Sequence, residues 1–201
     1  MQEGSDAYDA VTAIVLVGGL PVIVGYTNSD FPGLTHQGSY DGIVVKYALD
    51  GSRTYYVSFA TSSEDKVYDA ATDSSSYIFV VGYTWGTLHG SNAGNSDGFI
   101  VKLDSNLNQQ WILQTGTSDT DEFYSVQIDS TGRLVIGGRT YGAWSATSTT
   151  NATSNLGAWD SCILVYDTDG NRQWVIQFGS DGNDYLNAIA VDTVDSLDDI
   201  Y

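Results

Sequence analysis

The chain has 201 residues, with 25 acidic against 7 basic side chains for a formal net charge of −18, and it holds 22 Gly and 14 Tyr but only 2 Pro. That charge argues against nucleic acid and anionic membrane as partners, since both are polyanions that bind through Lys and Arg; cations and neutral glycans stay open. One cysteine precludes an intrachain disulfide, and the abundance of turn and strand formers argues against long helices.

Met1 leads into polar sequence with no secretion signal, so a signal peptide is expected to have been removed or to lie outside the chain. Residues 11–24, VTAIVLVGGLPVIV, are too short for a membrane span, which needs about 20 apolar residues, and Gly18-Gly19 and Pro21 interrupt them. They predict two buried strands joined by a Gly-Gly turn, with no membrane insertion. Gly25-Tyr26-Thr27 follows, then a polar stretch, then Tyr40-Asp41-Gly42-Ile43-Val44-Val45-Lys46. Strands are predicted over 43–47 and 54–59, turning at Asp50-Gly51.

The same order returns twice. Gly82-Tyr83-Thr84 lies 57 residues after Gly25-Tyr26-Thr27, and Gly138-Arg139-Thr140 a further 56 on. Ser96-Asp97-Gly98-Phe99-Ile100-Val101-Lys102 and Trp159-Asp160-Ser161-Cys162-Ile163-Leu164-Val165 occupy the place of the Tyr40 to Lys46 motif. The second unit predicts strands over 77–81, 99–103 and 110–113. The third predicts them over 124–129, 134–138, 162–166 and 173–178, which is two tight hairpins per unit. Repeats of slightly over 50 residues made of short strands are the signature of propeller blades, each covering its neighbour's apolar face. The expected fold is therefore all-β, a β-propeller-type array of four-stranded antiparallel blades, incomplete as given. Its units are 1–60, 61–116, 117–179 and a partial fourth at 180–201, within one continuous domain.

Several side chains recur with the units. Tyr55, Trp111 and Trp174 stand at one strand position, where a large aromatic is expected to pack between blades. Asp65, Asp121 and Asp184 precede the first strand of the following unit, where one carboxylate can cap the same turn each time. Cys162 falls where Ile43 and Phe99 sit and reads as a small buried apolar residue. Most other acids are Asp in turns, where Asp bonds its own backbone.

The sequence of Gly-Tyr-Thr, Asp30-Phe31-Pro32, Tyr40-Asp41-Gly42-Ile43-Val44-Val45-Lys46-Tyr47, Asp-Gly, an aromatic and a terminal Asp resembles the bacterial-type β-propeller repeat often called the SBBP repeat. The resemblance spans three units and the start of a fourth. It implies an extracellular or cell-surface protein, often large and multidomain, with no shared catalytic residues. The second unit departs from it, with Ser74-Ser75-Ser76 replacing a Gly-containing turn and the loop Pro missing; the third has a longer, Thr-rich loop.

Functional candidates are few. His36 and His89 lie in corresponding loops without a second His at metal-ligand spacing, and no nucleophile elbow, phosphate loop or dinucleotide fingerprint occurs. No enzyme activity and no cofactor are expected, calcium apart. Asp167, Asp169 and Asn171 place oxygens at alternating positions as a hard cation requires, yet lack the Glu that completes the helix-flanked calcium loop; a plain hairpin turn is the alternative. Residues 145–155, SATSTTNATSN, read as a solvated excursion, and Asn151 heads the chain's one N-glycosylation sequon, an acceptor in a eukaryotic host. The leading expectation is a non-catalytic structural or adhesive module of a cell-surface protein or filament, contacting other protein chains or glycans. The alternative is a carbohydrate-binding or carbohydrate-processing propeller, with Trp85, Trp144 and Trp159 as stacking candidates. Because propellers close with 4 to 8 blades, completion is expected from further sequence or from identical copies in a ring or filament.

Overall fold

The computed structural model describes residues 4–145 and 154–192, and the described residues contain strands and no helix. The first sheet takes β1 (Asp9–Val17), β2 (Leu20–Thr27), β3 (Asp41–Tyr47) and β4 (Arg53–Phe59). The second takes β5 (Asp65–Thr72), β6 (Ile78–Thr84), β7 (Asp97–Leu103) and β8 (Gln109–Thr115). The third takes β9 (Asp121–Ile128), β10 (Leu134–Thr140), β11 (Asp160–Tyr166) and β12 (Arg172–Phe178). Each sheet is antiparallel with strands in chain order, and β5 packs against both β1 and β9.

Turn chemistry sets the register. Gly18 and Gly19 take φ of 59° and 78°, the backbone of a two-residue hairpin whose twist matches its strands. The other hairpins are closed by an Asp. Asp129 Oδ1 accepts the N–H groups of Thr131 and Arg133, and Asp73, Asp104 and Asp167 repeat the pattern. In the second unit Ser76 takes φ of 65° where a glycine was expected. Asp73 holds that turn from both sides, through Ser75 N and Tyr77 N.

The recurrent glycine of Gly-x-Thr has a steric cause. Each first strand carries a β-bulge, at Thr12, Tyr68 and Tyr124, facing the second strand. The bulge drives a carbonyl against that strand: a Cβ on Gly25, Gly82 or Gly138 would lie 1.8, 1.9 or 2.3 Å from the oxygen of Ala10, Lys66 or Glu122. Only glycine fits. The threonine two residues on closes the next turn, accepting Ser29 N, Gly86 N or Gly142 N.

The sheets stack through two cores. On β6, Ile78 and Val80 face the first sheet, meeting Val24, Val44 and Phe59, while Phe79 and Val81 face the third, meeting Phe123, Ile136 and Leu164. Strand alternation thus supplies both interfaces, and all of β6 is buried. Cys162 sits in the second core. Lys46 and Lys102 reach the next sheet's last hairpin, donating to Ser105 O at 2.6 Å and Thr168 O at 3.1 Å. Trp111 Nε1 also donates to Thr168 O, which fixes this aromatic between sheets as expected, whereas Tyr55 at the same position of the first unit is 42% exposed. The expectation of two buried strands over 11–24 needs one correction: β1 buries a single face, and Val11, Ile14 and Leu16 are 62%, 62% and 64% exposed on the other.

Gly82→Ala is expected to lower unfolding free energy by at least ~2 kcal/mol, since the methyl meets backbone that cannot yield. Gly90→Ala, where φ is +72° but nothing lies within 4 Å, should cost about 1 kcal/mol. Urea unfolding midpoints of the two variants measure the difference, and equal losses would contradict the role assigned to the bulge.

Candidate functional site

The same bulges aim side chains. Placing Tyr68 and Tyr124 out of the alternation turns both rings to the end of the sheets where Tyr26, Tyr83 and Arg139, the middle residues of Gly-x-Thr, also emerge. A continuous aromatic rim results. Tyr68 stands 4.8 Å from Tyr124, 5.7 Å from Tyr83 and 6.1 Å from Tyr26, and Tyr26 in turn contacts Tyr40 and Tyr8 at 5.5 and 6.2 Å. These separations are those of favourable edge-to-face and offset pairs.

Two cations sit within the rim, each with its own carboxylate. Lys66 Nζ lies 4.3 Å from the Tyr40 ring centroid and 4.9 Å from that of Tyr26, and 3.0 Å from Glu64 Oε1, which also accepts the Tyr83 hydroxyl at 2.6 Å. Arg139 lies 4.1 Å over Trp159 and 5.0 Å over Tyr185, and its Nε and Nη2 donate to Glu122 Oε2 at 2.8 and 2.5 Å. Tyr124 donates to the same carboxylate. The rim's charges are therefore paired internally, the Tyr83 and Tyr124 hydroxyls are taken up by the same carboxylates, and with Tyr83 itself buried the rim presents chiefly the ring faces of its other tyrosines. Burial, followed by the neighbouring tyrosines, pushes the Tyr26 phenol up to about 12. Burial also leads the rise at Tyr68, Tyr83 and Tyr124. All four stay protonated donors at neutral pH. Such a surface can stack on a sugar ring or a planar side chain and hydrogen-bond its edges.

Among the expected stacking residues, Trp159 belongs to this rim, edge-on to Tyr141 at 5.5 Å. Trp85 stands beside it, 45% exposed, its backbone N–H donating to Glu64 O. Trp144 is a correction. Only 1% exposed, it stacks on Phe123 beneath Arg172, so its ring is core rather than a ligand platform. The Asp167, Asp169 and Asn171 turn is held by its own donors: Asp167 accepts the backbone N–H of Asp169 and Asn171, the Asn171 amide and the Gln173 amide. The plain hairpin accounts for it. Asn151 lies outside the described residues. The tyrosine band went unread in the sequence, although its signal was there: 14 Tyr, several at repeat positions, beside the glycine that was noticed.

Directly behind the rim lie the repeating aspartates. Asp65, Asp121 and Asp184 each take a backbone N–H and a hydroxyl from the residue four before, Thr61, Thr117 or Ser180. Their own N–H groups donate across the junction to Tyr40 O, Ser96 O and Trp159 O. These carboxylates cap the inter-sheet turns as the spacing implied. No protein-family model matches the chain, and no curated protein sequence is significantly similar to it.

Burial pushes the Asp121 carboxyl up to about 6, aided by Asp97 and opposed by the Thr140 and Thr117 donors. Burial likewise raises Asp41 and Asp65. Between about pH 4 and 6 the folded state holds a proton that the unfolded chain, with an ordinary Asp near 3.9, has released, so stability falls as pH rises through that window. The hairpin acids act oppositely. The Ser52 hydroxyl lowers Asp50, and at Asp104, Asp129 and Asp167 the turn donors outweigh burial. Their contribution is lost as pH drops below about 4. Urea titrations in metal-free buffer are expected to place maximum stability at pH 4 to 5, with about 3 kcal/mol lost by pH 7 from Asp121; a maximum above pH 7 would refute this.

Proposed function

We propose that this chain is a non-catalytic scaffold of the β-propeller type, akin to the SBBP repeat, serving in an extracellular or cell-surface protein as a platform for contacts with other protein chains or glycans. The observation that carries this reading is the rim itself, a band of aromatic rings made from repeat positions of three stacked sheets and joined on the third through Arg139. Internally paired charge and flat rings favour neutral partners, and Tyr, Trp and Arg are the residues on which binding energy concentrates. Packing of β5 against β1 and β9 supports the propeller reading, since inner strands adjoin one another around a propeller axis.

The exposed face of β1 supports association with a further sheet of the same repeat, from the same polypeptide or from identical copies in a ring or filament. Val11, Ile14 and Leu16 occupy it as apolar residues of β5 and β9 occupy the faces that neighbouring sheets cover.

A carbohydrate role is the second reading, favoured by Trp159 lying in the rim with Arg139 over its ring. Glycan arrays and cell-surface protein panels probed with the purified chain test both. Whichever partner binds, Trp159→Ala and Tyr68→Ala should weaken it at least ~10-fold, worth about 1.4 kcal/mol, whereas Trp144→Ala should act through stability alone. Binding indifferent to both rim variants would remove the rim from the function. Turnover of a polysaccharide or ester, abolished by replacing one non-repeating carboxylate, would overturn the non-catalytic reading.

A further inference from the structure

The junctions between repeats hold pairs of carboxylates in which at least one acid is buried with an oxygen left over. At the second junction Asp97 opens β7 and Asp121 opens β9, and both are 0% exposed. Asp97 Oδ2 accepts Ala93 N at 2.8 Å and Gln114 Nε2 at 3.0 Å, and Asp121 Oδ2 accepts Thr117 N and Oγ1. The Oδ1 atoms of both have no hydrogen-bond partner. The Thr140 hydroxyl that holds the Asp121 carboxyl down has one proton, which it also directs to Gly142 O at 3.1 Å, so it cannot satisfy both acceptors.

Gly116 keeps the space between them open. A Cβ there would lie 2.3 Å from Asp97 Oδ1 and 2.8 Å from Asp121 Oδ2. The third junction repeats the gap with one buried acid in place of two: a Cβ on Gly179 would lie 2.3 Å from Asp160 Oδ1 and 3.0 Å from Asp184 Oδ2, and Asp160 Oδ1 is again unpartnered, while Asp184 is partly exposed. The first junction differs. Ala60 stands in the glycine's place and Ser58 in that of Gln114, although Asp41 and Asp65 also keep unpartnered Oδ1 atoms.

Two neighbouring carboxylates repel each other, and a buried one with an oxygen left unused is costly without a counter-charge. A hard cation ligated by oxygen removes both penalties at once. We propose that the second and third junctions each bind one divalent cation of the calcium class, bridged by Asp97 and Asp121 and by Asp160 and Asp184. Hydroxyl, main-chain carbonyl and water oxygens complete the 6 to 8 ligands such an ion takes. No group of three or more His, Cys, Asp or Glu gathers among the described residues. With two carboxylates per site, affinity belongs near the weak end of calcium sites, around 10⁻⁴ M. The inference is independent of the scaffold role, and it gives the rim a mineral support, because Asp121 is flanked by Glu122 and Asp160 by Trp159.

Calorimetric titration of the chelator-stripped 201-residue chain with calcium chloride at pH 7.5 tests this, alongside thermal unfolding with and without the ion. Two ions per chain and a rise in Tm of several degrees are expected. Asp97→Asn and Asp160→Asn should each remove one ion while folding in chelator at least as well as the parent, since each deletes a buried repulsion. Gly116→Ala should also remove one ion, and Asp167→Asn should remove none. No calcium binding at 10⁻² M free ion, about 100 times the expected Kd, would overturn the proposal and leave a shared proton or water in the gap. So would calcium binding retained in the Asp97→Asn, Asp160→Asn double variant.

Discussion

The close approach of each bulged first strand to the glycine opposite it is the contact on which the rest of the molecule depends. An unbulged strand would keep Tyr68 and Tyr124 in the regular alternation of β5 and β9, and the rim would lose the rings that join one sheet's aromatics to the next. The extra residue also raises the local twist, and it lets Asp69, the residue after the bulge, turn to the next sheet, where Oδ2 accepts Val126 N at 2.9 Å and Ser125 Oγ at 3.1 Å. In the first sheet the bulge residue itself makes the link, Thr12 Oγ1 donating to Val67 O at 3.0 Å. One backbone irregularity therefore both presents the rim and fastens the sheets behind it.

Apolar packing supplies most of the energy between sheets and little of the specificity. Val, Ile, Leu and Phe on two stacked sheets tolerate small slides, because the hydrophobic effect is non-directional. Polar links remove that freedom. Lys46 and Lys102 each find one carbonyl of the next hairpin, and the capped aspartates each find the carbonyl of the residue just ahead of the preceding third strand. Buried lysine is costly unless its donors are satisfied, so a slide of one residue would be penalised most at Lys46, which is 7% exposed. The arrangement spends buried charge on alignment, as is attested in other systems where buried polar groups fix register.

Much of this was legible in the sequence because it follows from local rules repeated three times. Alternation, Asp-Gly turns and the returning Gly-x-Thr located the hairpins, and the spacing of Asp65 and Asp121 announced their capping role. Strand ends were less legible. The runs over 134–138 and 162–166 extend to Thr140 and back to Asp160, since the flanking polar residues still pair in the ladder. Trp144 shows where composition misleads: set beside a Ser- and Thr-rich stretch it reads as a loop residue, yet tertiary packing on Phe123 buries it. The exposed stripe of β1 misled in the other direction, because an apolar run cannot say which of its faces finds a partner.

The rim was the least legible feature, for a reason that bears on how such surfaces arise. Its members sit at x positions, beside residues fixed by sterics but free of steric constraint themselves, so Tyr26 and Tyr83 give way to Arg139 without disturbing the glycine contact. Tyr40 is likewise followed by Ser96 and Trp159 ahead of the third-strand aspartates. The backbone-defining residues and the surface-defining residues alternate along the same few strands. The rim side of the molecule can therefore change chemistry while the bulge, the glycine and the aspartate that hold the sheets together stay in place.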